Sequence, residues 1–539
     1  MPRLPEAAPA HAPFRAYRAV FFALPFWGGL FFTRQWCGAL LIHGAFLLWQ
    51  VRAGKRLLLP HRGGALCAVV LPLCALAGAG GWADAGAAAE GLLWLGGCLL
   101  FALLLCQWDA PHRRQLLDQL PLMGCCMTVL CAVCAPVPAL RDLVWENGRM
   151  AGPFGYANAF GVFLLAGLVQ LAQRPGRWRP LLALVLLGGI CLSRSRGTAL
   201  VLALWALWFA AVHRPGRRAV LAGGATVLLL GSGLIQRFGG DFATLWGRLL
   251  YMKDGLRLLA RLPLGTGRLG WFYLQGLIQT GVYNVRFVHN DWLQFALDYG
   301  IPAGLALALW LAASLRRGCA APEVALVLLV HCFADVDIPF TFLAFVLLLA
   351  LSARQDRPRR SPDGRAALPA LALMLPALLW AGADSAHLLG QTGLAVRLTP
   401  WNTEPAVEQM LARPTLALAE QDALAITARN PYQVQAWQIR AESALDRRDY
   451  EEMSLALRQV LALKKYDQSA YNDALVKYQT ALEDGWTPAA AEMARVLDRL
   501  DTAMDTADPL AWRLPDKPAL EIDARTRLTI RMLAQRSGG

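Results

Sequence analysis

The sequence predicts an all-α, polytopic membrane protein of about 12–13 transmembrane helices, with a large outer loop and a C-terminal helical domain outside the membrane. Two observations carry this. Hydrophobic residues make up 56% of the chain and charged residues 17%, with a mean hydropathy of +0.39, far from the soluble average. Apolar runs recur from Arg15 to about Asp384, each able to cross a ~30 Å hydrocarbon core, which takes roughly 17–25 helical residues. The full length of 539 residues implies more than one domain.

The runs centre near Leu24, Gly44, Leu73, Leu99, Val129, Leu164, Leu186, Ala206, Leu228, Leu305, Leu329, Val346 and Met374. The first has the apolarity of a signal peptide, but no small-residue cleavage site follows Phe32. Between the runs, basic residues cluster at Arg52, Lys55, Arg56 and Arg62, at Arg113 and Arg114, and at Arg174, Arg177 and Arg179. Further clusters are Arg214, Arg217 and Arg218, then Arg316 and Arg317, then Arg354, Arg357, Arg359, Arg360 and Arg365. If the spans alternate, these clusters share one side, which the positive-inside rule makes cytoplasmic. The N-terminus is then cytoplasmic and the C-terminus extracytoplasmic. The formal charge of +14 reads as loop charge rather than a nucleic-acid footprint.

The 12 cysteines lie between Cys37 and Cys332, mostly inside apolar runs. A disulfide framework needs cysteines in polar, loop-rich sequence, so these read as small packing residues. Cys131 and Cys134 have metal-ligand spacing without a nearby histidine, and packing is again the reading.

Some positive charge breaks the topological rule. Arg194 and Arg196 fall on the outer side, as does segment 236–290 with Arg237, Arg248, Lys253, Arg257, Arg261, Arg268 and Arg286. Such charge points to an anionic ligand; for the long loop, plain solvated charge is the alternative. At the end of that loop, Val285 to Trp292 holds an arginine, His289, Asn290 and Asp291 just before an apolar run, a costly placement unless functional.

Three regions result: 1–150 with the first helices, 151–385 as the core including the outer loop 236–290, and 386–539 as a polar helical tail. Within the tail, Asn430-Pro431-Tyr432 through Ala436-Trp437, Asp449-Tyr450-Glu451 and Leu461-Ala462-Leu463 resembles one degenerate tetratricopeptide repeat of roughly 34 residues. It departs from that pattern at Met453 and lacks a proline after Leu463.

Four outward-facing stretches stand out: Gly152-Pro153-Phe154-Gly155-Tyr156-Ala157-Asn158, the turn Ser195-Arg196-Gly197, the loop from Arg248 through Leu262-Pro263-Leu264-Gly265-Thr266-Gly267, and His289-Asn290 followed by Gly300-Ile301-Pro302-Ala303-Gly304. In order and sidedness they resemble the O-antigen ligase and polymerase superfamily of bacterial envelope glycosyltransferases, over about residues 150–350. The resemblance implies a plasma-membrane enzyme that moves a glycan from a polyprenyl-diphosphate carrier to a glycan, lipid or protein acceptor outside the cytoplasm, with no cofactor and no metal. Arg196 and Arg248 then hold the diphosphate, a task suited to a planar, permanently charged donor fork. His289 takes or orients the acceptor proton, histidine being the residue type that exchanges protons near neutral pH. Arg194, Arg286, Asn158, Asn290 and Asp335 are expected to contact substrate or orient those that do.

Two features remain open to a second chemistry. Gly265 and Gly267 have phosphate-loop spacing, but without a preceding strand and a following Lys-Ser/Thr the expected role is a turn. Asp335-Val336-Asp337 follows His331 and could hold a divalent ion against diphosphate; the resemblance instead makes Asp335 an orienting acid. The alternative functions are a lipid-linked glycan polymerase and a non-enzymatic transporter or flippase, the latter disfavoured by few mid-span charges and no evident duplication.

Overall fold

The structure is a computed structural model that describes residues 11–52, 57–60, 62–213, 242–353, 359–360 and 368–537. The span expected at Leu228, the start of the outer loop with Arg237, and the basic residues Lys55, Arg56, Arg214, Arg217, Arg218, Arg354, Arg357 and Arg365 lie outside the described residues. Among the described residues, regular structure is helical apart from two short antiparallel ribbons, Leu58–Leu59 with Arg359–Arg360 and Trp145–Glu146 with Arg149–Met150.

The apolar runs form helices where expected. Thr33–Arg52, Arg62–Ala77, Ala85–Cys106, Leu120–Cys134, Ala157–Ala172, Arg179–Ser193, Arg196–His213, Ile301–Arg317, Pro322–His331, Thr341–Leu351 and Leu368–Leu388 each contain a predicted centre. Leu24 instead falls just past His11–Ala23, where Pro25 opens a 3-10 turn. Asp84 and Asp109 start their helices by accepting backbone N–H groups that the first turn leaves unpaired. Prolines sit in the first turns of Ile301–Arg317 and Pro322–His331, where a missing N–H costs nothing.

Three stretches, Ala85–Cys106, Ala110–Cys134 and Leu371–Leu388, are long and apolar enough to cross a membrane. Others are apolar but short: the 16 residues of Ala157–Ala172 extend roughly 24 Å at about 1.5 Å per residue. The helices bury one aromatic-rich core that includes Trp36, Phe101, Phe160, Phe163, Phe342 and Phe345.

Their connections segregate to two ends. At one end Gln107 bonds the backbone of Leu58, and Arg113 reaches the carbonyl of Ala353 at 2.7 Å. At the other end of Ala85–Cys106, Ala83 N–H donates to Thr266, and Asp84 accepts from Asn430 of the tail at 2.8 Å. Among the described residues, Leu58, Arg113 and Ala353 from expected inner loops thus meet at one end, and Ala83, Thr266 and Asn430 from expected outer segments at the other.

The described part of the outer segment, 242–290, is more regular than its loop reading. It contains the amphipathic helix Ala243–Arg261, which buries Leu250, Asp254 and Leu258, and the short helix Gly270–Ile278. The Pro263–Gly267 turn between them docks on the junction of Asp291–Tyr299 and Ile301–Arg317. Ile301 N–H donates to Pro263, and Thr266 and Gly267 N–H donate to Leu297 and Asp298. Gly300 has φ +91°, and a Cβ there would stand 2.6 Å from the Leu264 carbonyl oxygen, so no side chain fits. With those two amides committed to protein carbonyls, this Gly-x-Gly works as a packing turn.

The tail is a run of helices from Thr403–Leu411 to Ala524–Ser537. Asn402, Thr415, Asp449 and Asp467 cap four of them. Trp437, Leu457, Tyr471, Tyr478 and Val496 form its own core. It seats on the outer segment: Asp508 N–H donates to Thr280 at 2.8 Å, Lys253 pairs with Asp508, and Gly276 lies against the Leu463 carbonyl.

Candidate active site

Four side chains from three separate segments converge on the carboxylate of Asp335, in the 332–340 connection after Pro322–His331. Asp335 is 1% exposed. Tyr156 Oη donates to its Oδ1 at 2.5 Å, Asn158 Nδ2 to its Oδ2 at 2.7 Å, and Arg248 Nη2 to Oδ2 at 3.0 Å. Arg248 also donates to the Ala334 carbonyl at 2.6 Å. His289 stands with Nδ1 3.6 Å from Oδ1, an electrostatic contact rather than a formed hydrogen bond.

Local sequence explains each arrival. The glycines of Gly152–Gly155 adopt positive φ at both ends of a 3-10 turn, which sets Tyr156 and Asn158 at the start of Ala157–Ala172. The Tyr156 ring lies parallel to Phe340, centroids 5.8 Å apart, so the 332–340 connection is gripped by ring and hydroxyl together. Arg248 comes from the first turns of Ala243–Arg261. His289 sits at φ +54°, an unusual conformation for a non-glycine residue, immediately before the cap residue Asn290. The Tyr251 ring faces it at 6.2 Å.

Burial by itself would raise the Asp335 carboxyl. The facing His289, Arg248, His331 and Tyr156 outweigh that and hold it well below the ordinary carboxylate range. Asp335 is therefore an anion that fixes its donors. Burial, and then the Asp335 charge, push the Tyr156 phenol upward, so it remains a neutral donor.

The Ser193–Thr198 turn is tied into the same ring. Arg149, on the ribbon before the Gly152 motif, donates from Nε to the Ser193 carbonyl at 3.0 Å and from Nη2 to Asn158 Oδ1. Ser195 caps the next helix through Thr198 N–H, and Thr198 Oγ1 lies 3.3 Å from His331 Nε2. A Cβ on Gly161 would stand 2.8 Å from Thr198 Oγ1, which is why glycine occupies this crossing. Arg196 opens Arg196–His213 half-buried, while Arg194 is exposed with φ +48°.

The structure thus brings together Arg248, His289, Asn158 and Asp335, and binds the turn carrying Arg196 to them. Asn290 lies beside this group in a bonded role, capping Leu293 N–H at 2.9 Å and donating to the Phe333 carbonyl. Arg286 lies apart, lining a small polar cleft with Glu90, Asp384, His387 and Glu404. The two carboxylates of Asp335-Val336-Asp337 diverge: Asp337 pairs with His331 at 2.6 Å rather than with the Arg248 group. Tyr156 and Arg149 were not singled out by the sequence. Arg149 carried a signal, being one more arginine on the arginine-poor side directly before the Gly152 motif.

Residues 181–308 match the O-Antigen ligase family. That segment supplies Arg194, Arg196, Arg248, Arg286, His289 and Asn290, and the Pro263–Gly267 turn with its docking partner Gly300. Asn158, Arg149 and Asp335 lie outside it and complete the ring from a flanking helix, ribbon and connection. The match supports membrane glycan processing of the O-antigen ligase and polymerase kind, carried out by a glycosyl-transferring enzyme. No curated protein and no solved structure matches the chain.

Proposed function

We propose that this protein transfers an oligosaccharide from a polyprenyl-diphosphate carrier to an acceptor outside the cytoplasm, in the manner of an O-antigen ligase. The observation that carries the reading is the set of groups around Asp335: a fixed arginine, an imidazole and an amide, at the molecular end where the family-matched segment forms its turns.

In this reading an acceptor hydroxyl oxygen attacks the anomeric carbon, forming the new glycosidic bond while the bond from that carbon to the diphosphate oxygen breaks. The hydroxyl proton passes to His289, whose Nδ1 faces Asp335 and whose Nε2 remains for the acceptor. The buried Asp335 anion 3.6 Å away stabilises the imidazolium that forms. Negative charge grows on the departing diphosphate. Arg248 and Arg196, with Arg194 nearer solvent, meet that charge with preorganised donors, the largest usual contribution to such a step. The arginines supply the charge that a metal supplies elsewhere, so we read the transfer itself as metal-independent.

Asn158 and Asn290 hold the shape of the site, and Arg286 serves a more distant part of a long glycan. The 12–13 spans, the cytoplasmic N-terminus and the extracytoplasmic tail belong to the same reading, with residues 386–539 as a tetratricopeptide-like platform for the acceptor. Polymerisation of the same donor shares every step but the acceptor.

Arg196→Ala should abolish surface glycan display in cells that depend on this protein, with the lipid-linked glycan accumulating and protein level unchanged. Unchanged display at normal protein level would count against the assignment.

A further inference from the structure

A second cluster lies next to the Arg248 group and is not used by it. Asp291, Cys332 and Asp337 are all buried, and each offers a ligand atom within 4.8 Å of the others. Asp291 opens the helix Asp291–Tyr299, and its Oδ2 accepts from the N–H groups of Asp337 and Ile338 at 2.7 and 3.0 Å. Asp337 gives Oδ2 to His331, while its Oδ1, fully buried, has no hydrogen-bond partner.

Two buried carboxylates side by side require compensating charge. Arg248 is committed to Asp335 and the Ala334 carbonyl. His331 offers at most one positive charge, already on Asp337. An orphaned carboxylate oxygen facing a second carboxylate and a thiol marks a missing positive partner.

The donor set selects the kind of partner. Calcium and magnesium take six or more oxygens; one sulfur with two carboxylate oxygens suits a borderline ion such as Zn²⁺. His331 on Asp337 and the two backbone N–H groups on Asp291 would orient these ligands, as outer partners do at metal sites. A cavity of about 680 Å³ reaches Asp291 and Cys332, its other walls largely apolar, including Trp94, Trp292 and Leu347. That leaves a fourth direction for water.

We propose that Asp291, Cys332 and Asp337 bind one Zn²⁺-class divalent ion, with its fourth position toward the cavity. The ion ties the start of Asp291–Tyr299 to the 332–340 connection, and so fixes Asp335 opposite Arg248 and His289. It has no contact with diphosphate and stands whether or not the glycan transfer is as proposed.

The test uses the full chain purified in detergent without a metal-affinity step, incubated with Zn²⁺ or Co²⁺ and washed. Wild type should retain about one equivalent of zinc, and zinc X-ray absorption should show one sulfur among about four neighbours. The cobalt form should show a thiolate-to-metal absorption band that Cys332→Ser removes, and Asp337→Asn should lower zinc occupancy. Wild type without retained zinc, or retained zinc with only oxygen and nitrogen neighbours, would overturn the proposal and leave a proton shared between the carboxylates instead. The absorption spectrum of wild type decides the matter even where a variant fails to fold. A thiolate band unchanged in a folded Cys332→Ser protein would equally reject the site.

Discussion

Asp335→Ala is expected to eliminate glycan transfer and to lower the unfolding temperature of the detergent-purified protein. The substitution leaves the Arg248 guanidinium, the Tyr156 hydroxyl and the Asn158 amide without their shared acceptor. Removing one partner of a buried charge pair costs about 3–5 kcal/mol. Here the lower end applies, since Arg248 keeps 21% of its side chain exposed and a second bond to Ala334. Asp335→Asn separates shape from charge. The amide retains an acceptor oxygen for Tyr156 but no longer attracts Arg248 or orients His289 as an anion. It should therefore unfold closer to wild type and still transfer at least about tenfold more slowly, the scale of one lost positioning interaction of about 1.4 kcal/mol. An Asn variant with wild-type turnover would show that the anion has no part in the reaction.

The second large effect is at His289. Loss of a positioned general base lowers the rate by about 10²–10⁴. Alanine at this position confounds the result, because φ is +54° and a left-handed conformation costs an ordinary residue roughly 1–2 kcal/mol. Asparagine tolerates that conformation and cannot act as a base. His289→Asn should keep protein level and unfolding temperature near wild type while transfer falls at least about a hundredfold. Activity within a few fold of wild type would remove His289 from the proton-transfer step and leave it as a packing residue beside Tyr251.

Much of this architecture was legible from apolar patterning, because a helix in a bilayer must satisfy its own backbone and so declares itself by length and composition. The helix Ala243–Arg261 was hidden in what read as loop, since its arginines interrupt the apolar signal while Leu250 and Leu258 pack inward, and Gly270–Ile278, though apolar, has only 9 residues and is too short to declare itself as a span. The break at Pro25 was missed for the opposite reason: the apolar run continues through it. Of the site, Arg248, His289, Asn158 and Asp335 were nominated by residue order and the family resemblance. That they meet at one carboxylate was not legible, since it depends on how the 332–340 connection folds over Tyr156 and Asn158. Tyr156 lay within a quoted motif, but its hydroxyl gains meaning only once Asp335 is placed. Arg286 shows the converse: a wrong-side arginine three residues before His289 faces a different cleft, because Asn290 starts a new helix and the chain turns before it.

The most direct measurement is of bond cleavage. Proteoliposomes containing the purified protein and a polyprenyl-diphosphate oligosaccharide are given acceptor on the side of the tail, and free carrier diphosphate is followed together with acceptor-linked sugar. The account predicts that the two appear in equal amounts for wild type and that both vanish in Arg248→Ala. Intact carrier-linked glycan that changes leaflet without cleavage would contradict it and identify a transporter.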